Sequence, residues 1–252
     1  MRQVRDRRDD EPAFVLHTYA YRETSLIAET FTRASGRVAL VARGAKRPRS
    51  ELRGVLQAFQ PLALSFAGSG ELKTLLKAEW QGGMPLPGGA ALLCGFYLNE
   101  LLLKLLPKED PHPLLFSDYA DALRALAGDA NAGMQAATLR RFELRLLAAL
   151  GYALPLTRDV DTGAPIDAGA RYHYAFDRGP RLVASEPRAA WPVVRGATLI
   201  ALATEHYPDA DVASEAKRLM RRVLDHYLDE RRIFSRRVVQ DLAALDDEDD
   251  GR

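Results

Sequence analysis

Five basic side chains fall within eleven consecutive residues in the first quarter of the chain, with a single acid, Glu51, among them. They are Arg43, Lys46, Arg47, Arg49 and Arg53, and we call residues 43–53 the basic loop. Because the whole chain has a formal net charge of only +1, this is a local concentration of charge. Clustered Lys and Arg bind phosphate backbones, since each neutralised phosphate releases condensed counterions. Taken alone, the pattern also fits a solvated loop that serves solubility or targeting.

A second stretch with possible chemistry is Asp161-Thr162-Gly163, the tripeptide that carries the carboxylates of aspartic proteases. Arg158, Asp159 and Pro165 flank it in place of an apolar strand, which favours a turn held by Asp side chains. Asp159, Asp161 and Asp167 are also potential Mg²⁺ ligands for a nuclease, but acids spaced along a polar loop are usually solvated. The sequence therefore predicts no catalytic residues and no enzyme.

Metal and disulfide chemistry has little support in the sequence. One cysteine, Cys94, excludes an internal disulfide framework and a zinc site built from cysteines alone. The five histidines do not pair at metal-ligand spacing. We expect no metal and no cofactor, and we expect Cys94 to be a small core residue within an apolar helix.

Composition is that of a soluble protein, with 47% hydrophobic and 27% charged residues. Residues 1–12 are rich in Arg and Asp, so we expect a disordered tail and no secretory signal. The apolar stretch 90–106 is interrupted by Asn99, Glu100 and Lys104 and is too short to span a membrane. These features predict a cytoplasmic location.

The first third of the chain has the patterns of β-strands. Apolar, β-branched or alternating runs cover 14–21, 25–33, 37–43, 55–66 and 72–80, with turn residues or the basic loop between them. Five short strands predict a small closed barrel over residues 13–82. Residues 12–80 contain ten Lys or Arg against five Glu, so the barrel is the basic part of the chain.

The rest of the chain is mostly helical in pattern. Helices are predicted near 87–106, 114–126, 135–150, 195–207, 211–228 and 235–245. They form a helical domain, 87–245, with an insertion of loop and short strand at 155–185 that has no zinc ligands. An acidic tail, 246–252, contains five consecutive acids, 246–250. The predicted fold class is α+β, a five-stranded barrel followed by a mostly α-helical domain.

Barrels that bind oligonucleotides combine a basic groove with aromatic rings on which bases stack. Tyr19, Phe59 and Phe66 are the candidate rings, although alternation alone does not decide which of them face solvent. The basic side chains predicted to contact nucleic acid are Arg37, Arg43, Lys46, Arg47, Arg49, Arg53, Lys73 and Lys77.

Short segments in a specific order run from about residue 13 to residue 240. They include Phe14-Val15-Leu16-His17, Glu23-Thr24-Ser25-Leu26, Arg43-Gly44-Ala45-Lys46, Gly70-Glu71-Leu72-Lys73, Tyr97-Leu98-Asn99-Glu100, Leu139-Arg140-Arg141-Phe142-Glu143 and Tyr207-Pro208-Asp209. No single segment is a strong motif, but their joint order resembles the RecO family of bacterial recombination mediators.

The resemblance implies an oligonucleotide-binding (OB) barrel before a helical domain, and a protein that binds single- and double-stranded DNA and anneals complementary strands. It also implies capture of the acidic tail of single-stranded-DNA-binding protein and, with RecR, loading of RecA, in association with the nucleoid. Some family members hold zinc with four cysteines, which this chain lacks. The alternative is a general RNA-binding or scaffolding barrel protein.

For the partner tail, the resemblance points to Arg140, with Arg141, Lys217 and Arg218 as further candidates. The competing interpretation is that these are helix arginines paired with Glu143 or Glu215. The acidic run 246–250 suggests a further hypothesis, that it competes with phosphates or with the partner tail for basic sites.

Overall fold

The structure is a computed structural model that describes residues 6–128, 131–183, 191–228 and 233–235. Contacts divide the described chain into two units. Unit 1 contains the residues up to Gly128 together with 233–235, and unit 2 contains those from 131 to 228. The boundary expected between 82 and 87 separates the barrel from the helices by type of element, whereas contacts also group the first two long helices with the barrel.

The predicted five-stranded barrel is confirmed, and it is closed in the order β1-β2-β3-β5-β4. Its strands are β1 (Arg7–Tyr21), β2 (Ser25–Thr32), β3 (Gly36–Ala42), β4 (Leu62–Ala67) and β5 (Leu72–Trp80). β1 is long enough to pair with β2 along one part and with β4 along the other. β3 and β5 pair in parallel, which completes the ring.

The disordered tail expected at 1–12 is wrong from Arg7 onward. Arg7 pairs with Ala67, and Glu11 pairs with Leu64, so residues 7–12 form the first part of β1. Their side chains are mostly polar and exposed. Apolar periodicity detects a strand only where its side chains are buried, so it did not detect this segment. The backbone hydrogen bonds to β4 place this segment in the barrel, and they leave no pattern in the sequence.

The strand predicted at 55–66 begins only at Leu62. A single helical turn, α1 (Leu52–Val55), precedes it, and Phe59 has a positive φ of 69°. Leu56 and Phe59 are nevertheless buried. The apolar run in this part of the sequence therefore reflects residues that enter the core from an irregular loop.

Two long helices of unit 1 pack on the barrel, α2 (Gly89–Leu105) and α3 (Pro113–Ala127). The Phe116 ring of α3 lies 5.4 Å from the rings of both Phe14 and Phe31, measured between centroids. This aromatic contact joins two barrel strands to α3. It explains why the structural boundary follows Gly128.

A buried polar contact fixes α2 to β1. The Asn99 side-chain amide donates to the Leu16 carbonyl at 2.9 Å and accepts a hydrogen bond from the Tyr119 hydroxyl. All of these groups are buried, and burial raises the pKa of Tyr119, so its hydroxyl remains a donor. The three groups join β1, α2 and α3 at one point.

The loop after α2 is seated against the start of β3. Gly36 has φ of +69°, and a β-carbon there would lie 2.1 Å from the Asp110 carbonyl oxygen. The Glu109 amide donates to the Arg37 carbonyl at 2.9 Å. Only glycine fits this turn and this close approach.

The described part of unit 2 has three helices and a small sheet: α4 (Ala132–Ala149), β6 (Arg171–Ala175), β7 (Gly179–Leu182), β8 (Val193–Arg195), α5 (Gly196–Thr204) and α6 (Ala210–Leu228). The strand predicted near 171–176 is confirmed as β6, whereas β7 and β8 were too short to produce a pattern. α6 packs against α4 and α5. The helix predicted at 235–245 lies outside the described residues except for Ser235.

None of the helices in the described ranges is long and apolar enough to cross a membrane. The apolar side chains of α2 instead fill the core, where Leu98, Leu101 and Leu102 are buried. Cys94 is only partly buried on this helix, so it is less enclosed than expected.

The contact at Asn99 generates a stability prediction. We expect Asn99→Ala to lower the free energy of unfolding of unit 1 by about 2–3 kcal/mol, because it removes the buried partner of the Leu16 carbonyl and the Tyr119 hydroxyl. The measurement is urea unfolding followed by Trp80 fluorescence in a Trp191→Phe background. Gln57→Ala, at an exposed position, is the control, and a loss equal to the control would contradict the assignment.

Candidate nucleic-acid interface

The basic loop is held in place by its backbone and one small side chain. The Lys46 amide donates to the Thr24 carbonyl of the β1–β2 turn at 2.9 Å, and the Arg47 amide donates to Gly44 at 3.0 Å. Ala45 is fully buried between them. The backbone is therefore fixed on the barrel, while the basic side chains extend from it.

The five basic side chains of the loop are all exposed. Within the described part of the chain, none of the five forms an ion pair. Elsewhere in the two units, most of the cations considered for binding have a carboxylate partner. An exposed cluster of cations that the protein itself does not neutralise is suited to a polyanion.

Two residues predicted to contact nucleic acid are engaged inside unit 1. Arg37 donates to the Leu106 carbonyl at 3.0 Å and pairs with Glu29 at 3.2 Å. Lys73 pairs with Glu109 at 2.9 Å, and its side chain is only 6% exposed. We remove Arg37 and Lys73 from the interface, because their charges are neutralised and they join the barrel to neighbouring segments.

Lys77 is an intermediate case. Its ammonium group is exposed, but it lies 2.8 Å from Glu79 and 3.8 Å from Asp10. Exposed pairs of this kind are weak and exchange easily. Lys77 therefore remains a candidate whose charge is already partly balanced.

Burial decides which of the candidate aromatic rings can stack on bases. Phe59 and Phe66 are 2% and 1% exposed, so both belong to the core and the suggestion that they stack on bases is corrected. Tyr19 is 48% exposed and lies beside His17, with 4.5 Å between ring centroids. Trp80, at 59% exposure, is a large exposed ring that sequence reasoning did not single out.

The structure also brings the β1–β2 turn next to the basic loop, through the bond between Lys46 and Thr24. Arg22 in this turn is exposed, and its guanidinium lies over the Tyr21 ring at 5.1 Å. Sequence reasoning missed this pair, because the turn and the loop are separated in sequence and meet only in the folded barrel. The candidate interface therefore comprises the basic loop together with Tyr21 and Arg22.

Unit 2 presents a different kind of basic site. Arg140 on α4 is buried and binds the carboxylate of Glu143 with two hydrogen bonds, one of them from Nε at 2.7 Å. Glu143 has no exposed side-chain surface. The pairing with Glu143 that sequence left open is therefore present, although in a buried rather than an exposed form.

Arg140 also lines a cavity of about 470 Å³ between α4 and the segment that leads into α6. Met134, Ala137 and Ala213 contribute apolar surface, and Tyr207 lies nearby. Burial raises the pKa of Tyr207 to about 12, although the charge of Arg140 acts in the opposite direction. The cavity combines an apolar wall with a guanidinium held in a fixed position, and the acidic residues Glu205 and Asp209 also line it.

The remaining basic candidates of unit 2 are exposed. Arg141 pairs with Glu205 at 2.6 Å, and Glu205 also lies 3.3 Å from Arg145. Lys217 is exposed on α6, and Arg218 on the same helix donates to the Ser214 hydroxyl at 3.0 Å. Arg140 therefore lies in the cavity wall, whereas Arg141 is not among the lining residues and pairs with Glu205 at the cavity edge.

The Asp-Thr-Gly tripeptide forms the turn that the sequence favoured. One oxygen of Asp159 accepts hydrogen bonds from the amides of Asp161, at 3.0 Å, and Thr162, at 2.8 Å. Its other oxygen accepts from the Leu182 amide. Burial alone would raise the pKa of Asp159, but these hydrogen bonds outweigh it and lower the pKa below its usual range. Asp161 itself pairs with Arg181.

No group of three or more His, Cys, Asp or Glu suited to a metal ion occurs within residues 6–128, 131–183, 191–228 and 233–235. Asp159 is instead occupied as the acceptor that organises its own turn. The acidic loop therefore has a structural explanation.

The buried pair on α4 generates a second prediction. Arg140→Ala should destabilise unit 2 by about 3 kcal/mol, because it removes the charge that offsets the buried carboxylate of Glu143. Arg141→Ala, which breaks a partly exposed pair, should cost less than about 1 kcal/mol. Urea unfolding followed by Trp191 fluorescence in a Trp80→Phe background compares the two. Similar losses for both variants would contradict the structural assignment.

Comparison with known proteins matches both parts of the chain. The family model described as "Recombination protein O N terminal" matches residues 7–84, and "Recombination protein O C terminal" matches residues 88–232. Among proteins named DNA repair protein RecO, that of Aromatoleum aromaticum is 48% identical over 241 residues, 96% of this chain and 99% of the relative. That of Dechloromonas aromatica is 48% identical, with coverage of 96% and 99%, and that of Ralstonia nicotianae is 49% identical, with coverage of 93% and 85%.

The closed five-stranded barrel at 7–80 is the OB-fold of this N-terminal domain. The two family matches together extend from residue 7 to residue 232 and are supported by relatives of almost the same length. The chain therefore belongs to the RecO family of DNA repair proteins.

Proposed function

We propose that this protein is a mediator of DNA repair and homologous recombination that binds single- and double-stranded DNA through the basic loop and anneals complementary strands. With RecR, it would help to load RecA onto strands coated by single-stranded-DNA-binding protein. The observation that carries the proposal is the basic loop: five exposed cations, without ion pairs in the described structure, on an OB barrel of a DNA repair family.

Binding through the backbone of DNA suits annealing for a physical reason. Contacts to phosphate fix the position of a strand without reading its bases. The Watson–Crick edges then remain available to a complementary strand. The backbone of the loop is already fixed by Lys46 and Ala45, so little order has to be created on binding.

Aromatic rings near the loop would add to this binding. Tyr21, with Arg22 over its ring, lies on the turn that contacts the loop, and Tyr19 is exposed on the same strand. Base stacking on such rings contributes about 1–3 kcal/mol per base and tolerates any sequence. We infer that the turn and the loop hold one strand together.

The cavity beside Arg140 supports capture of a protein tail. An acidic tail that ends in an aromatic residue and a free carboxylate needs an apolar pocket beside a cation. Met134, Ala137 and Ala213 supply the apolar surface, and Arg140 supplies a guanidinium whose orientation Glu143 fixes. Exposed Lys217 and Arg218 on α6 would add a longer-range attraction for the acidic residues.

No bond is made or broken in this proposal. The protein would act by competition and juxtaposition, with the barrel holding phosphate while the cavity holds the tail of the protein that coats the strand. The turn role of Asp159 and the pairing of Asp161 with Arg181 support this reading, since both carboxylates have structural partners. DNA binding would place the protein in the cytoplasm, at the nucleoid.

The basic loop is tested by removing its charge. The variant Arg43→Ala/Lys46→Ala/Arg47→Ala/Arg49→Ala should bind a single-stranded oligonucleotide at least about tenfold more weakly at low salt, with a slope of log K against log salt smaller by up to about 3. The measurement is fluorescence anisotropy across a salt series, with strand annealing as a second readout.

The matched control is Lys217→Ala/Arg218→Ala/Arg221→Ala/Arg222→Ala, which removes the same number of charges from α6. If both variants lose affinity equally, the loop has no special role. Equal binding and annealing of RNA and DNA would favour the alternative, a general RNA-binding or scaffolding barrel protein.

The tail site is tested with a labelled acidic peptide ending in Asp-Asp-Ile-Pro-Phe. Arg140→Ala is expected to unfold unit 2 more easily, so the preferred variant is Arg140→Met/Glu143→Leu, which replaces the buried pair with apolar side chains of similar size. We expect roughly tenfold weaker peptide binding by anisotropy, because charge-assisted hydrogen bonds to the terminal carboxylate are lost.

A second variant, Ala137→Leu, reduces the volume of the cavity and should also weaken the peptide. Arg124→Ala, at an exposed position of unit 1, is the control. DNA affinity should change little in all three. Unchanged peptide affinity in folded Arg140→Met/Glu143→Leu would reject the assignment of the site.

A further inference from the structure

The end of the described chain returns from unit 2 to unit 1 and is attached to α2. The amides of Phe234 and Ser235 donate to the two carboxylate oxygens of Glu100, at 2.7 Å and 2.8 Å, and the Ser235 hydroxyl donates at 2.7 Å. The Lys104 ammonium group pairs with Glu100 at 3.0 Å and lies 4.7 Å from the Phe234 ring centroid. Ile233 is buried beside them.

This attachment depends on the charged form of Glu100. Burial alone would raise its pKa, but hydrogen bonds from Ser235, Phe234 and Lys104 lower it overall. The carboxylate therefore remains ionised near neutral pH and continues to accept all of these bonds. Residues beyond Ser235 start from a fixed point on unit 1.

The basic loop is within reach of that point. Glu100 is five residues along α2 from Gly95, a distance of about 7.5 Å. The Phe59 ring packs on Gly95, where a β-carbon would come within 2.9 Å of it. Six residues separate Phe59 from Arg53, at most about 21 Å of chain. With the Phe59 and Glu100 side chains and the hydrogen bond to Ser235 included, the path from Ser235 to Arg53 is no longer than about 50 Å even with residues 53–59 fully extended.

The acidic run lies at a suitable distance along the sequence. Glu248, at its centre, is thirteen residues after Ser235. Thirteen residues extend to at most about 47 Å. Residues 52–55 form the helical turn α1, so the path is shorter than its fully extended limit, and the covalent chain allows the run to reach the loop of the same molecule.

The charges of the two segments also match. The run contributes five consecutive carboxylates, Asp246, Asp247, Glu248, Asp249 and Asp250. The loop contributes five exposed cations that form no ion pair with any described residue, four of them arginines. A guanidinium binds carboxylate and phosphate with the same two-pronged geometry.

We propose that the acidic run 246–250 binds the basic loop of the same molecule and must be displaced when a phosphate backbone binds there. The contact itself does not require DNA. Its effect on DNA rests on the proposed function of the loop. Each exposed pair contributes little alone and is screened by salt, so the tail is a competitor that DNA can replace.

Displacement has a thermodynamic signature. When DNA has to displace the acidic run from the loop, fewer ions are released overall than when DNA binds a free loop. DNA affinity therefore depends less steeply on salt concentration. Neutralising the run should therefore both raise DNA affinity at low salt and steepen its salt dependence. The affinities with and without the acidic charges should converge at high salt.

Contact between the segments is tested by disulfide trapping, which this chain permits because Cys94 is its single cysteine. In a Cys94→Ala background, Lys46→Cys/Glu248→Cys should form an intramolecular disulfide about tenfold faster at low salt than at about 0.5 M salt. The comparison pair is Arg218→Cys/Glu248→Cys, which reports contact with α6. Faster trapping with Arg218→Cys, or no salt dependence, would overturn the proposal.

The effect on DNA is measured with an amide variant of the run, Asp246→Asn/Asp247→Asn/Glu248→Gln/Asp249→Asn/Asp250→Asn. We expect an increase in oligonucleotide affinity of about fivefold or more at low salt. The same changes in the background of the neutralised loop should have no effect, because the site for the tail is absent there.

The two proposals fail in different ways. Salt-sensitive trapping at Lys46→Cys without any gain in DNA affinity would support the tail contact and contradict DNA binding by the loop. Loss of DNA affinity in the loop variant, without trapping and without an effect of the amide variant, would support DNA binding and overturn the tail contact.

Discussion

The attachment of α2 to the first barrel strand is the interaction on which the rest of unit 1 depends. Asn99 binds the Leu16 carbonyl and the Tyr119 hydroxyl inside the protein, where a lost partner costs more than the bond itself contributes. One turn further along the same helix, Lys104 and Glu100 hold the returning chain. The barrel, the helices and the anchor of the C-terminal segment are therefore parts of one unit.

Pairing of charges, more than their number, determines what each basic residue is available to do. Arg37, Lys73 and Arg140 have carboxylate partners and little exposed surface, so their charges serve the fold first. The basic loop has no such partners in the described structure, and a buried Ala45 fixes its backbone. The same residue type therefore has opposite roles at different positions of the chain. Arg140 is a separate case, because its buried pair also orients a guanidinium at the wall of a cavity.

Several elements could be read directly from the order of residues. The helices near 114–126 and 211–228 follow their apolar periodicity closely, because each buries one face, and the bounds predicted for the fifth strand, 72–80, match the structure as well. Residues 7–12 and 55–61 were misread for opposite reasons. The first segment is polar but is fixed by backbone pairing with β4, and the second is apolar but fills the core from a loop. Periodicity indicates burial of side chains in regular elements, so it detects neither a polar strand held by backbone pairing nor an apolar loop that fills the core.

The sequence alone determined the family, the barrel with its helical partner and the position of the basic loop, because these depend on local patterns and on the order of short segments. Only the tertiary structure decided which cations remain unpaired, which aromatic rings are exposed and where the chain divides into units. Those properties depend on contacts between residues far apart in sequence, such as Arg37 with Leu106, Lys46 with Thr24 and Glu100 with Ser235. Distance in space sets the strength of a hydrogen bond or an ion pair, and the order of residues does not specify that distance.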